Sequence, residues 1–269
     1  MTLDINPIEN HRKREKGVLV YPVYSRRSQG LSIGINLYPD KKSCSFDCPY
    51  CEVFPFSNDS VFSLHQMEED LKFCIDNAKK QNIPVKDICF SGNGEPSLSP
   101  HLAPALKLAA NIRTEMVPSA QLVLITNGTG LLKQKVFSLL KNSVLGAEKL
   151  DIWLKVDAGT PEWYKKINRC ETPFDELTAK IKEFASCAPV TIQTMLCQID
   201  GNAPPPEEVH AWKTLLLELT QSNNIRKVQI YGKARPAPED PAASPLSAEY
   251  LEERAGLLQG IGVLVEVYL

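Results

Sequence analysis

The sequence predicts an α/β protein with a parallel sheet. Short apolar stretches of strand length alternate with amphipathic helical stretches through most of the chain, the pattern of strands joined by crossover helices. Each strand stretch also runs into a polar or glycine-containing turn. In folds of this class such turns gather at the C-terminal edge of the sheet, where sites are built.

The elements follow in order. Residues 31–37 alternate apolar with small or polar side chains, as a first strand does, and a cysteine-bearing loop comes next. Ser63 can cap a helix on which Leu64, Met67, Leu71, Ile75 and Ala78 recur at three- and four-residue spacing. Residues 87–90 make a short strand that ends in the turn 91–96. Helix is expected over 102–112, strand over 121–125, helix over 131–140 and strand over 151–156. Thr172, Pro173 and Asp175 read as cap, first-turn proline and acidic third position of the next helix, which leads to the strand 190–196. After Pro204-Pro205-Pro206, Val209, Trp212, Leu216 and Leu219 share a helix face, and 227–231 is a strand. A proline-rich connector or lid, 235–245, then leads to a helix over 248–258 and an apolar strand over 261–268. Six strand-helix units result. An open six-stranded barrel and a doubly wound sheet both fit that count.

With 269 residues, 43% of them hydrophobic, the chain suits one large α/β barrel or two modest domains. A net charge of −2 gives no global positive field for nucleic acid, and the local basic run 11–16 and the pair Arg26-Arg27 read as a solvated arm. No apolar run approaches the roughly 20 residues of a membrane span, and the N-terminus lacks the apolar core of a signal peptide. The expected location is cytoplasmic, with no membrane partner. Eight cysteines in such a chain read as metal ligands plus buried thiols rather than disulfides. Cys74, Cys89, Cys187 and Cys197 fall within helix or strand patterns, where cysteine acts as a small hydrophobe.

The remaining chemistry centres on Cys44, Cys48 and Cys51, a C-x₃-C-x₂-C triplet in one loop. Thiolates suit iron-sulfur clusters, zinc or copper(I), so ligand type alone does not select the metal. A structural zinc site takes four donors, yet His11, His65, His101 and His210 are scattered and form no second pair. Three cysteines instead suit a cubane cluster with one iron left open.

A C-x₃-C-x-aromatic-C motif after a first strand resembles the signature of the radical S-adenosylmethionine superfamily. The resemblance implies a partial (β/α)₆ TIM-like barrel, with an arm (1–27), a core (28–235) and a C-terminal extension packed on the barrel (236–269). It implies that Cys44, Cys48 and Cys51 hold a 4Fe-4S cluster whose open iron is chelated by S-adenosylmethionine, which one electron cleaves to a 5′-deoxyadenosyl radical. Tyr50 would then neighbour the adenine. Asn93-Gly94-Glu95-Pro96 resembles the Gly-Gly-Glu-Pro motif that meets the methionine amino group, with Asn93 in place of the first glycine. Thr126-Asn127-Gly128 resembles the superfamily's Thr-Asn-Gly turn. Lys155 and Asp157 share a strand face. By the same resemblance Lys155 would meet the methionine carboxylate and Asp157 a ribose hydroxyl or the substrate, a structural ion pair between the two being the alternative, and Gln193 and Tyr231 would meet ribose and adenine.

Residues 21–27, 31–36 and 229–236 further resemble the iron-sulfur oxidoreductases grouped with wyosine synthetases, which are tRNA-modifying enzymes. Arg26 and Arg27 become candidate anion-binding residues near the barrel mouth. No cysteine precedes Cys44 to form the second cluster of wyosine synthetases, so tRNA modification is an alternative, beside a glycyl-radical activating enzyme and a non-catalytic iron-sulfur protein. The expected function is that of a radical enzyme acting on an unidentified small molecule, tRNA or protein, with flavodoxin or ferredoxin as reductant.

Overall fold

The structure, a computed structural model, describes residues 17–53, 55–235, 237 and 240–269. The basic run 11–16 and Pro236 lie outside the described residues. The chain forms two compact units. One comprises residues up to Cys44, Pro55–Ile125 and Asn142–Asp151; the other comprises Ser45–Phe54, Thr126–Lys141 and Ile152–Leu269.

The first unit holds β1 (Val20–Ser25), β2 (Gly30–Ile35), α1 (Leu64–Lys80), β3 (Val85–Phe90), α2 (Leu102–Met116) and β4 (Gln121–Thr126), the last entering the second unit at Thr126. Its strands lie in the order β1-β2-β3-β4. β1 is antiparallel to β2, whereas β2, β3 and β4 are parallel. α1 starts as expected, with Ser63 Oγ accepting from the Gln66 N–H, and it buries Met67, Leu71, Cys74, Ile75 and Ala78. Ile88, Cys89 and Phe90 are buried on both faces of β3, as strands covered by helices are.

Two expectations change here. Residues 20–25 form a strand rather than part of an arm, and Arg26 and Arg27 occupy the hairpin turn between β1 and β2. That turn lies at the N-terminal ends of the parallel strands, opposite the edge where Ile35 and Phe90 lead into the cysteine loop and the 91–96 turn. Arg26 and Arg27 are therefore not at the mouth. Arg27 faces the buried Asp87, whose carboxyl burial pushes up while Ser28, Ser32 and Arg27 hold it down. The Ser32 hydroxyl donates to Asp87 at 2.5 Å.

α3 (Gln134–Leu145) and β5 (Leu150–Lys155) are divided in sequence between the units. The second unit continues with α4 (Pro161–Ile167), α5 (Phe174–Cys187), β6 (Val190–Leu196), β7 (Gln198–Ile199), α6 (Pro206–Thr220), β8 (Ile225–Gly232), β9 (Ala243–Ser244), α7 (Ala248–Gly256) and β10 (Leu264–Tyr268). β5, β6, β8 and β10 lie side by side in that order and are parallel. β6 is buried along its whole length. The connector after β8 is pinned by β9, which pairs antiparallel with β7. β10 extends the sheet next to β8, so the C-terminal segment is part of the sheet rather than only a layer on it.

The sequence reading omits α4, a helix of seven residues. Thr160 caps it by accepting from the Trp163 N–H at 3.2 Å, and Pro161 occupies its first turn. α5 starts one residue later than expected. Pro173 stands at the cap position and offers no side-chain acceptor, while Asp175 and Glu176 fill the acidic first turn. No helix among the described residues is long and apolar enough to cross a membrane.

Candidate functional site

In the first unit the strand ends are joined by an amide-centred network. Asn36, at the end of β2, is buried, and its Oδ1 accepts from the N–H groups of Tyr38 at 3.0 Å and Asn93 at 3.2 Å. Asn93 returns a bond from Nδ2 to the Tyr38 carbonyl. Ser43 then bridges to the 93–95 turn: its N–H donates to the Asn93 carbonyl at 2.9 Å, and the Ser43 carbonyl accepts from the Glu95 N–H at 2.8 Å. The Gly-Glu motif is thus laced to the residue preceding Cys44. Glu95 is 2% exposed. Its Oε1 accepts from the Ser97 N–H, capping the 3₁₀ turn Pro96–Leu98. Tyr38 donates its hydroxyl to the Glu95 carbonyl at 3.2 Å, and burial pushes that hydroxyl's pKa up to about 12.

Gly94 is fixed by this lacing, since an added Cβ would overlap the Ser43 backbone carbonyl. Gly94→Ala is expected to cost about 2 kcal/mol or more, because backbone rather than a flexible side chain must move. Urea denaturation checks this, and an unchanged midpoint would refute it.

In the second unit Asp157 is the hub. Its side chain has no exposed surface, and four donors converge on it. Tyr50 OH donates to Oδ2 at 2.5 Å, Asn168 Nδ2 to Oδ2 at 2.9 Å, the Met195 N–H to Oδ1 at 2.9 Å, and Lys155 Nζ lies 3.2 Å from Oδ1. Asn168 Nδ2 also reaches Cys48 Sγ at 3.6 Å, and the Asp47 N–H donates to the Asn168 carbonyl at 2.9 Å. The cysteine loop is thereby docked onto the end of β5 and the loop after α4. Lys155 Nζ bonds to Tyr231 OH and stands 5.0 Å from the Tyr50 ring centre and 4.9 Å from that of Tyr231.

The charges follow from these contacts. Burial opposes the Lys155 ammonium, yet Asp157, Tyr231 and Cys48 hold its pKa above the usual lysine value. Burial pushes the Cys48 thiol up to about 12, with the Asp157 charge adding to it. Burial and Asp157 likewise raise the Tyr50 hydroxyl well above its ordinary value.

Asn127 ties the other side of the loop, donating from Nδ2 to Ser45 Oγ at 3.0 Å and accepting from the N–H and hydroxyl of Thr129. Gly128, in the left-handed region at φ 84°, makes the turn. Gln193 has no exposed surface and donates to Gln229. Arg235 Nη1 donates to Glu52 Oε2 at 2.6 Å, so the connector after β8 holds the residue next to Cys51. Cys170 lies apart in role, accepting from the Thr172 N–H at 3.4 Å.

Cys44, Cys48 and Cys51 are in no disulfide. Among the described residues no three His, Cys, Asp or Glu side chains are gathered as a metal-binding group. The donor set itself, three thiols from one loop, has the chemistry of iron-sulfur ligation. Tyr38, Ser45 and Asn168 belong to the network yet carry no sequence signal beyond being polar residues in loops.

No family model matches the chain. It is 29% identical over 177 residues to a UPF0026 protein of Helicobacter pylori, covering 64% of this chain and 51% of that protein. It is 30% identical over 151 residues to a UPF0026 protein of Methanocaldococcus jannaschii, covering 55% of this chain and 43% of that one. The chain thus spans about half the length of the curated relatives it matches. Among solved structures, a radical S-adenosylmethionine methyltransferase from Sphaerobacter thermophilus superposes with a TM-score of 0.67 at 14% identity, over 92% of this chain and 68% of that one. The likeness shows the fold: a mixed α/β, mostly parallel partial barrel.

Proposed function

We propose that this chain is a radical S-adenosylmethionine enzyme that holds a 4Fe-4S cluster through Cys44, Cys48 and Cys51 and cleaves S-adenosylmethionine reductively to act on a substrate still to be identified. The observation that carries the reading is the docking of the cysteine loop, through Cys48 and Tyr50, onto the Asp157-Lys155-Asn168 network at the end of β5. When bound, the cluster would supply the electron that breaks the sulfonium bond, drawn from a reductant such as flavodoxin or ferredoxin.

The chain's own residues position and discriminate. Lys155 carries a fixed positive charge between two aromatic rings, suited to the methionine carboxylate. Tyr50, held by Asp157, offers a ring face to adenine, with Tyr231 beside Lys155 as a second aromatic wall. Gly94 lets the Ser43 backbone approach, and Glu95 carries the carboxylate suited by charge to the amino group. Asp157 already receives four donors, the full capacity of a carboxylate. Its role is therefore to hold Tyr50 and Lys155 rather than to bond ribose. Asn127 fixes the loop through Ser45, and the buried Gln193 supports from within the sheet.

Anaerobic reconstitution is expected to give about four irons and four sulfides per chain, and dithionite with S-adenosylmethionine should yield 5′-deoxyadenosine. Iron binding that persists after Cys44→Ala, Cys48→Ala and Cys51→Ala are combined would sink the proposal. Reduction without 5′-deoxyadenosine would leave only an electron-carrying iron-sulfur protein.

A further inference from the structure

The cysteine loop of the second unit is held to three other segments. One residue after Cys44, Ser45 Oγ accepts from Asn127 Nδ2 at 3.0 Å and shares a 2.6 Å bond with the Thr129 hydroxyl, both beyond the end of β4. At Cys48 the hold comes from the loop after α4, where the Asn168 carbonyl accepts from the Asp47 N–H at 2.9 Å and Asn168 Nδ2 reaches the sulfur at 3.6 Å. One residue after Cys51, the Glu52 carboxylate meets the Arg235 guanidinium beyond the end of β8, Oε2 to Nη1 at 2.6 Å. The first two holds join uncharged groups. The third is an ion pair, and its side chains are 35% and 23% exposed. Inside the loop, Cys51 adds a turn bond from its N–H to the Cys48 carbonyl at 3.0 Å.

Arg235 is a firm post for this pair. Its carbonyl accepts from Lys233 Nζ at 3.0 Å, and further along the same connector β9 is pinned to β7. A planar guanidinium offered from a held backbone loses little freedom in gripping a carboxylate. Among the described residues Glu52 has no other ion-pair partner. Without Arg235 its charge would stand uncompensated one residue from a thiol of the proposed cluster site, and like charges repel. We propose that Arg235 is a positioning residue with two separable effects: it latches the Cys51 side of the loop, and it cancels the Glu52 charge beside a centre that must take up an electron. The latch follows from the protein alone, whereas the charge effect rests on the function proposed above.

The two effects separate because Glu52→Gln and Arg235→Met both open the latch, yet one removes a negative charge and the other a positive one. Deuterium exchange of peptides from the cysteine loop reads the latch in the full chain before any cluster is loaded. Both variants should exchange there about threefold faster than the unaltered chain, the size of a partly exposed ion pair. Raising salt from about 0.05 M to about 1 M should speed the unaltered chain in the same way and leave Glu52→Gln unchanged, since salt screens an exposed pair. After anaerobic reconstitution, a reduction titration followed by electron paramagnetic resonance reads the charge effect. The midpoint should rise in Glu52→Gln and fall in Arg235→Met, because a negative neighbour opposes an added electron and a positive one favours it. The double variant keeps the net charge without the latch, so it should exchange fast and return to the unaltered midpoint. Exchange that responds neither to salt nor to Glu52→Gln would overturn the latch, and midpoints that move in one direction in both single variants would overturn the charge effect. A chain that shows the exchange pattern but retains no iron supports the latch and defeats the proposed function instead.

Discussion

Asp157→Ala is expected to lower folding stability by about 3–5 kcal/mol, the usual cost of removing one partner of a buried charge pair. The size comes from what the deletion leaves behind. Lys155, whose side chain is 13% exposed, loses the carboxylate 3.2 Å away, and the Asn168 amide, the Tyr50 hydroxyl and the Met195 N–H each lose an acceptor inside the fold. A buried donor without a partner costs about 1–3 kcal/mol, and an uncompensated charge costs more. A second substitution separates these contributions. Lys155→Met in the Asp157→Ala background removes the orphaned ammonium, so the double variant should be more stable than Asp157→Ala alone, with a coupling energy of about 1–3 kcal/mol. Urea denaturation of the four proteins measures the cycle. Additive effects would mean that the pair is solvated and that Asp157 is not the hub of the site.

The sheet and most helices were legible because their signals are local. β3, β4, β6 and β8 are apolar runs ended by turns, and α1 and α6 show one apolar face each. β1 was hidden by Pro22, which removes a backbone donor and argues against an interior strand; β1 tolerates it as the end strand, paired only with β2. α4 has too few residues for a helical period to show. The cysteine triplet and the Gly94 turn stood out in the sequence by residue type and spacing, and Lys155 and Asp157 by their shared strand face. Asn168 did not, since a common polar residue becomes informative only when the chain returns to meet it. The Tyr50-Asp157 bond joins residues 107 apart and the Glu52-Arg235 pair residues 183 apart, and no local pattern encodes such meetings.

Glu208 supplies the second large effect, through pH. It stands in the first turn of α6, 3% exposed, and grips the loop that follows Asp157: Oε1 accepts from the Gly159 N–H at 2.6 Å and Oε2 from the Thr160 hydroxyl at 2.5 Å. The loop lies so close to α6 that a Cβ on Gly159 would overlap the Trp212 backbone. Among the described residues no ion pair includes Glu208. Burial pushes its carboxyl from the ordinary 4.5 up to about 7, outweighing the bonds from Thr160 and Gly159 that favour the charged form. A carboxyl raised in this way binds its proton more tightly folded than unfolded. Its contribution is fully present below about pH 4.5 and is lost as pH rises through about 7. The gap corresponds to about 3 kcal/mol. Glu208→Gln stays neutral, can still accept from Gly159 with its oxygen, and can donate to the rotated Thr160 hydroxyl with its nitrogen. The variant should therefore match the unaltered chain most closely near pH 5 and exceed it in stability at pH 8 by up to about 3 kcal/mol. Because every other group titrates equally in both proteins, the difference between their urea midpoints isolates Glu208. Parallel pH profiles would show that this carboxyl is already ionised in the fold and that the grip on Gly159 and Thr160 is made by a charge.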